Sequence, residues 1–419
     1  MGPVIQGGLV PEAGATWHAE PPFPLDESAQ ILLGDVHARR GQEVVVSARA
    51  GVAVYSLRGQ LRASVTVSEP TLTPGVLTDV NGDRKLDIVV GSTQGTDPVV
   101  RAYDGRGRLI QSRRLQVADQ SVGAVHPIGT LDGDLILSAG DLWIAGPRGI
   151  FRLQSPRLRT AWFAAVPTGM LGGTVFNDTI LVSTVTQTNG EYNRIGTSAE
   201  GRFGFDARPH VLAFDASGEP TREIAIGTVD DADAQESWVL PLTDRTVVAH
   251  RHGPTGELLT IDTLSGVVGN RRPVSGTVAH LMTARGGAQP LLVLVTTRPG
   301  DTGWHMDLLD TNLAVVHRWT GRGAAPVPTA VVAAAGVAVG AAAVTGPEGA
   351  GRYAVVADTM SGLTLFGPDG VAEVLAEWPT DRQSGACCAA AAVGRKRVLF
   401  ARIADRITVV SLPRNAPQD

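Results

Sequence analysis

The sequence predicts an all-β protein, and three features of the chain support this prediction. The 419 residues include 50 Gly and 26 Pro, a composition that is typical of many short strands joined by tight turns. Short runs rich in Val, Ile, Leu and Ala recur along the chain as copies of one four-stranded unit. The last copy is one strand short, which indicates that the copies close into a ring. We therefore expect a single β-propeller domain over residues 1–419.

Composition and charge exclude several classes of protein. The net charge is −5 and no basic stripe is present, which argues against a nucleic-acid-binding protein. The longest apolar run, Ala330–Val344, is rich in Ala and Gly and is too short to span a bilayer. Residues Met1–Leu25 lack a basic segment followed by an apolar core. We expect a cytoplasmic protein with no membrane partner, or a secreted protein if a leader has been removed.

The two cysteines of the chain, Cys387 and Cys388, are adjacent, so the sequence has no disulfide framework. Because they follow one another in an Ala-rich run, we expect two small buried thiols. A strained vicinal disulfide is the alternative. The sequence leaves open both their redox state and the oligomeric state of the protein.

One short loop contains the most specific pattern in the sequence. Carboxylate or amide oxygens occupy its positions one, three, five and nine, at Asp79, Asn81, Asp83 and Asp87. Gly82 supplies a sharp turn, and the carbonyl of Lys85 falls at position seven. A β-branched run, Ile88–Gly91, follows at once, so the loop joins two strands and not two helices. Ca²⁺ prefers such an all-oxygen set of ligands. An ordinary acidic surface turn is the alternative interpretation.

Residues 75–117 as a whole resemble the FG-GAP (VCBS-like) repeat of integrin α-subunit propellers and of many bacterial propellers. Four strands fit the repeat, at Gly75–Val80, Asp87–Ser92, Val99–Asp104 and Leu109–Val117. The resemblance implies a propeller blade with one structural Ca²⁺, held by Asp79, Asn81, Asp83, Asp87 and the Lys85 carbonyl. Eight-bladed bacterial rhamnogalacturonan lyases are a more distant resemblance. A shared fold does not by itself imply a shared function.

The copies predict eight blades, with seven as the alternative if the last copy is a misread extension. The predicted blades cover residues 30–67, 75–117, 122–166, 169–229, 236–274, 278–321, 328–378 and 385–413. We expect residues 1–29 to supply the strand that the last blade lacks, around Thr16–Glu20, followed by a Pro-rich linker. The first copy keeps Asp35 and Glu43 at loop positions one and nine but has His37 and Arg39 between them. That loop should not bind Ca²⁺.

The blade phasing predicts a functional face opposite the acidic loop. The longest insertion, residues 186–209, lies on that face, together with the acidic turn 230–236. Arg, carboxylate and aromatic side chains that meet at the mouth of a ring suit a polar ligand. The candidate ligand-binding residues are Tyr192, Arg194, Arg202, Asp231, Asp233, Glu236, Trp238, Trp304, Asp381 and Arg382.

Two functions from different classes fit this face. The first is a binding module for a polar small molecule, a glycan or a peptide. The second is an enzyme of the lyase or cyclase type that uses acid–base catalysis, either in glycan degradation or in specialised metabolism. The candidate catalytic residues are His252, Tyr192, Arg194, Asp231 and Asp233. A metal site built on His250 and His252 lacks a third ligand at a diagnostic spacing. The sequence identifies no substrate.

Overall fold

The structure is a computed structural model in which all regular structure of the described residues is β-strand. None of these residues forms a helix that is long and apolar enough to cross a membrane. The described residues are 15–26, 29–37, 41–67, 72–73, 75–92, 98–140, 147–166, 170–184, 210–225, 236–252, 256–284, 290–298, 302–333, 336–339, 342–343, 353–359, 362–366, 372–377, 388–393, 396–403 and 406–411.

Strands that are consecutive in sequence form antiparallel four-stranded sheets. β1 (Ala15–Ala19) comes before the first sheet, which contains β2 (Gln30–Gly34), β3 (Glu43–Ala48), β4 (Gly51–Ser56) and β5 (Leu61–Thr66). The second contains β6 (Val76–Thr78), β7 (Asp87–Val90), β8 (Val99–Tyr103) and β9 (Leu109–Arg114). A small ribbon of β10 (Gln116–Val117) and β11 (Gln120–Ser121) follows. The third sheet contains β12 (Val125–Leu131), β13 (Asp134–Ala139), β14 (Gly149–Gln154) and β15 (Arg159–Ala165).

Three further sheets of the same form follow. The fourth contains β16 (Met170–Phe176), β17 (Thr179–Thr184), β18 (His210–Phe214) and β19 (Pro220–Ala225). The fifth contains β20 (Glu236–Pro241), β21 (Thr246–His252), β22 (Glu257–Asp262) and β23 (Val268–Pro273). The sixth contains β24 (Thr277–Ala284), β25 (Leu291–Thr297), β26 (Gly303–Leu309) and β27 (Val315–Arg322).

The seventh sheet departs from the prediction because it has six strands. They are β28 (Val327–Ala333), β29 (Gly336–Val339), β30 (Ala342–Ala343), β31 (Tyr353–Thr359), β32 (Gly362–Phe366) and β33 (Ala372–Glu377). The Ala-rich run that begins at Ala330 is divided among β28, β29 and β30, and β28 pairs with β29 on one side and with β31 on the other. The prediction of eight four-stranded blades is therefore wrong. Seven sheets in the described chain have the four-stranded form.

The remaining four-stranded sheet combines segments that are distant in sequence. It contains β34 (Cys388–Val393), β35 (Lys396–Ile403) and β36 (Arg406–Ser411), with β1 at its outer edge. β1 pairs antiparallel with β36, so that Ala15 lies opposite Val410 and Ala19 lies opposite Ile407. An outer strand thus comes from the N-terminal region, next to the Pro-rich segment that follows it.

Contacts between the first strands of the sheets arrange the sheets as a β-propeller. β6 contacts β2 and β12, β16 contacts β12 and β20, and β24 contacts β20 and β28. β34 contacts both β28 and β2. Each sheet therefore has one neighbouring sheet on either side of its first strand.

The core lies between neighbouring sheets, and the alternation of side chains along each strand explains how one sheet packs on two neighbours. In β7, Ile88 packs with Val45 of the first sheet, whereas the next residue, Val89, packs with Leu137 of the third. All four side chains are fully buried. Burying such a residue stabilises the fold by about 1.5–3 kcal/mol. A middle strand therefore has consecutive apolar residues, because both of its faces are buried.

Side chains on the outer two strands of a sheet also donate hydrogen bonds to backbone carbonyls in a turn of the next sheet. In the third sheet, Arg152 Nη1 and Trp162 Nε1 both donate to the carbonyl of Ala216, at 2.8 and 3.0 Å. Gly218 in that turn has φ of +83°, and a Cβ there would lie 2.8 Å from the Trp162 ring. The same contact recurs from Arg222 to Thr263 (3.1 Å) and from Arg272 to Leu313 (3.0 Å).

Candidate functional site

The loop between β6 and β7 is closed by Asp79, the first residue of the acidic pattern. Asp79 Oδ1 accepts a hydrogen bond from the Gly82 amide, and Oδ2 accepts one from the Arg84 amide, each at 2.7 Å. Both donors belong to residues with positive φ, +81° at Gly82 and +66° at Arg84. Glycine adopts this conformation freely, whereas an Arg there costs free energy. The carboxylate therefore stabilises a turn that the backbone alone disfavours.

The middle of the loop is ordered by hydrogen bonds of the same kind. The Asp83 amide donates to Asn81 Oδ1, and the Lys85 amide donates to Asp83 Oδ1, both at 2.8 Å. Asn81 Nδ2 lies 3.2 Å from Asp83 Oδ2 and 3.4 Å from Asp87 Oδ1. The amide thus donates to two carboxylates, and it compensates part of their negative charge.

Asp87 is the buried member of the loop, with 1% of its surface exposed. Its Oδ2 accepts a hydrogen bond from the Val80 amide at 3.0 Å. Burial, together with the nearby charges of Asp83 and Asp79, raises the pKa of the Asp87 carboxyl to about 7, against the effect of the Val80 hydrogen bond. A cation bound to the loop would favour the charged carboxylate and reverse this shift.

The raised pKa of Asp87 predicts that the metal-free protein loses stability as the pH rises from about 4 to 7. Below pH 4 the Asp87 carboxyl is protonated in both the folded and the unfolded state. Between pH 4 and 7 it ionises in the unfolded state but stays protonated in the folded state, so rising pH favours unfolding. In a chelator, Asp87→Asn should remove this dependence and should raise the free energy of unfolding at pH 8 by up to about 4 kcal/mol. Urea unfolding of both proteins at pH 4 and pH 8 measures the difference. Equal pH dependence in the two proteins would contradict the assignment.

The chemistry of the loop fits Ca²⁺, because every candidate ligand is an oxygen. Asp79, Asn81, Asp83, Asp87 and the Lys85 carbonyl would hold the ion, which would supply a fixed positive charge at their centre. In the described part of the chain, no three His, Cys, Asp or Glu side chains converge as a preformed metal site. The Asn81 amide instead donates to Asp83 and Asp87. The calcium site stays a prediction.

The loop is anchored to both neighbouring sheets, a feature that the sequence did not predict. Lys85 Nζ donates to both carboxylate oxygens of Asp35 in the first sheet, at 2.6 and 2.7 Å. The amide of Leu86 donates to the Asp35 carbonyl at 3.1 Å. On the other side, Ser155 Oγ donates to the Asp79 carbonyl at 3.2 Å. The loop is therefore a junction of three sheets.

The corresponding loop of the first sheet is closed differently. Glu43 Oε2 accepts hydrogen bonds from the amides of Val36 and His37, both at 3.1 Å. Glu43 thus takes the role that Asp87 has in the second sheet. Asp35 at position one is paired with the Lys85 ammonium. The Lys85 ammonium therefore supplies the positive charge beside this loop.

Most of the predicted ligand residues on the opposite face lie outside the described residues. These are Tyr192, Arg194, Arg202, Asp231, Asp233, Asp381 and Arg382. Two others, Glu236 and Trp238, lie on β20, and the candidate catalytic residue His252 lies on β21. The register places Glu236 opposite His252 and Trp238 opposite His250. The structure therefore brings a candidate ligand-binding residue and a candidate catalytic residue to paired positions.

Trp304, another candidate ligand-binding residue, is buried in the structure and does not lie on a surface. It is 8% exposed and packs edge-to-face against Phe366, with ring centroids 5.8 Å apart. A Cβ at Gly321 would come within 2.2 Å of its ring. Trp304 fills the space between the sixth and seventh sheets because its position on β26 faces the neighbouring sheet.

A hydrogen bond that the sequence did not predict joins the two strands from which the long insertion extends. The amide of His210 donates to Thr184 Oγ1 at 2.9 Å, and both residues are buried. His210 Nε2 lies 3.5 Å from Glu223 Oε1. Thr184 ends β17 and His210 begins β18, so these contacts fix the points at which residues 185–209 leave and rejoin the sheet.

Comparison with known proteins supports the architecture. No family model and no curated protein sequence matches the chain. BamB from Moraxella catarrhalis is similar, with a TM-score of 0.55 and 14% identity over 95% of this chain and 99% of that chain. The quinohemoprotein alcohol dehydrogenase from Comamonas testosteroni has a TM-score of 0.63 and 12% identity, over 97% and 78%. Sqt1 from Saccharomyces cerevisiae has a TM-score of 0.58 and 10% identity, over 94% and 98%.

These comparisons and the sheet arrangement define the protein as a β-propeller. At such low identities the likeness concerns the fold alone. The resemblance to the FG-GAP repeat has no support from a family match and stays a prediction.

Proposed function

We propose that the protein is a calcium-stabilised β-propeller that binds a polar small molecule, a glycan or a peptide on the face opposite the acidic loop. One observation carries the binding proposal. In the antiparallel fourth sheet, the β17–β18 and β19–β20 connections leave from the end opposite the β16–β17 turn. The residues between 184 and 210 and those between 225 and 236 therefore start from one face, which we call the insertion face. The face that contains the β6–β7 loop is the Asp79 face.

Calcium would stabilise the scaffold on the Asp79 face. The all-oxygen loop, the burial of Asp87 and the mutual repulsion of its carboxylates support this proposal. A cation that binds the native loop and not the unfolded chain adds to the free energy of unfolding by mass action.

We also infer that the propeller ring is closed by the N-terminal region, with β1 as its last outer strand. The pairing of β1 with β36 and the contacts of β34 with β28 and β2 support this inference. Closure covers the edge of β36, which would otherwise be free to pair with another chain.

The binding proposal predicts that replacing residues 186–209 by a short Gly-Ser turn abolishes ligand binding and leaves folding intact. Thr184 and His210 remain, so the sheet keeps its anchor. Arg194→Ala and Asp231→Asn should each weaken binding at least tenfold, because each removes a charged partner of a polar ligand. Ligands are first found by screening polar metabolites, glycans and peptides with the wild-type protein, and affinity is then measured by calorimetry.

Arg106→Ala is the matched control, since Arg106 is exposed in the β8–β9 turn, at the end of the second sheet opposite the insertion face. It should leave the affinity unchanged. Wild-type affinity in the loop-replaced protein would place the ligand elsewhere, most simply on the Asp79 face.

A lyase or cyclase is the second candidate, and one observation favours it. Glu236 lies opposite His252 in the β20–β21 pair, so an acid and a base occupy neighbouring positions at the insertion face. In this case a screened ligand would be converted, and His252→Gln would stop turnover more than it weakens binding. Product formation in the screen, followed by chromatography, decides between the two functions.

A further inference from the structure

Lys85 has two relations to the acidic loop, one through its backbone and one through its side chain. Its carbonyl is at position seven, among the candidate ligands of the ion. Its ammonium group reaches 2.6 and 2.7 Å from the two carboxylate oxygens of Asp35. The Lys85 side chain is 24% exposed and that of Asp35 is 43% exposed, so this ion pair is partly shielded from water.

We propose that Lys85 is a positioning residue for Ca²⁺ in the Asp79 loop, where it acts by fixing its own carbonyl through the ion pair with Asp35. This inference rests on the proposed calcium site. It assigns to the first sheet a part in metal binding, although the loop of that sheet lacks the oxygen pattern.

The contacts around Lys85 explain why its side chain matters to the backbone. Asn81, Gly82, Asp83 and Arg84 are all exposed, so the middle of the loop has little packing to hold it. The Leu86 amide donates to the Asp35 carbonyl at 3.1 Å. With the Lys85 ion pair, this bond attaches two consecutive residues to Asp35. A loop that is ordered before binding pays less conformational entropy when the ion arrives.

A purely electrostatic role makes the opposite prediction. An ammonium group close to a bound dication repels it, so its removal should tighten calcium binding. A positioning role predicts weaker binding, because the carbonyl is no longer held. The sign of the change therefore distinguishes the two roles.

The test is calcium titration calorimetry on the full chain. Lys85→Met and Asp35→Asn should each weaken the affinity about tenfold, as is typical when a group that orients a metal ligand is removed. The double variant should be no weaker than either single variant, because both lose the same ion pair. Lys85→Arg, which keeps the ion pair, should bind within about threefold of the wild type.

Arg245→Met is the matched control, since it breaks the Arg245–Asp262 ion pair in the fifth sheet. It should leave the calcium affinity unchanged. A second measurement is the rise in melting temperature between chelator and calcium, which a merely structural ion pair would not alter. If Lys85→Met does not fold, Lys85→Gln takes its place.

Three results separate the failure of this inference from the failure of the calcium site. If wild type neither binds calcium nor gains melting temperature, the proposed site itself is wrong. If wild type binds and Lys85→Met binds equally or more tightly, the positioning role is wrong. If Lys85→Met loses calcium affinity and Lys85→Arg does not, the positioning role is supported.

Discussion

Chelation of calcium should lower the melting temperature of the wild-type protein by several degrees. At free calcium 100 times the dissociation constant, binding to the native state alone contributes about 2.7 kcal/mol. Asp83→Ala should reproduce this loss in the presence of calcium, because Asp83 is an exposed carboxylate with no core contacts to lose. Scanning calorimetry of both proteins, with calcium and with EGTA, measures the effect. Metal analysis of the dialysed protein gives the stoichiometry.

Asp215→Ala is the matched control for Asp83→Ala. Asp215 Oδ1 also accepts turn amides, from Ser217 and Glu219 at 2.8 and 3.1 Å, but it belongs to no calcium pattern. Its removal should destabilise the protein equally with and without calcium. A wild-type melting curve that is identical in calcium and EGTA, with no metal bound, would refute the calcium site.

Deletion of residues 1–24 should cause the largest loss of stability, with aggregation at low concentration. The deletion removes β1 and exposes the edge of β36. It also removes Ala19 and Phe23, which are 0% and 5% exposed in the core of the first sheet. A Cβ at Gly51 would lie 2.6 Å from Phe23 Cδ1, which shows how closely this ring packs.

Two milder variants keep this prediction testable if the truncated protein does not fold. Phe23→Ala should cost about 3–5 kcal/mol by creating a cavity. Deletion of residues 1–11 leaves β1 intact and should not expose the edge of β36. Light scattering and thermal melting compare the three proteins. A monomer without residues 1–24 that melts like wild type would contradict the role of β1 in closing the last sheet.

Local patterns in the sequence predicted much of the fold. The turn at Gly82 and the strand that begins at Asp87 follow from residues that are close together in the chain. The alternation of Ile88 and Val89 between two neighbouring cores follows from the period of a strand. These features need no knowledge of distant segments.

Features that depend on distant partners were missed. Asp35 and Lys85 are 50 residues apart, and the sequence around neither residue predicts their ion pair. The position of Asp35 in the first copy of the loop was the one available signal. The donors Arg152 and Trp162 were missed for the same reason, although the recurring turn at Asp215–Gly218 is visible in the sequence. The sequence around an aromatic residue such as Trp304 on β26 does not reveal whether its side chain faces solvent or the next sheet.

The pairing of β1 with β36 has a consequence for synthesis on the ribosome. About 390 residues separate Ala19 from Ile407, and at 5–20 residues per second their translation takes roughly 20–80 s. During this time β1 has no partner in its own sheet, whereas the first to sixth sheets can form from consecutive strands. A strand made early in synthesis is therefore among the last to find its partner, and its edge is free to pair with other chains until then.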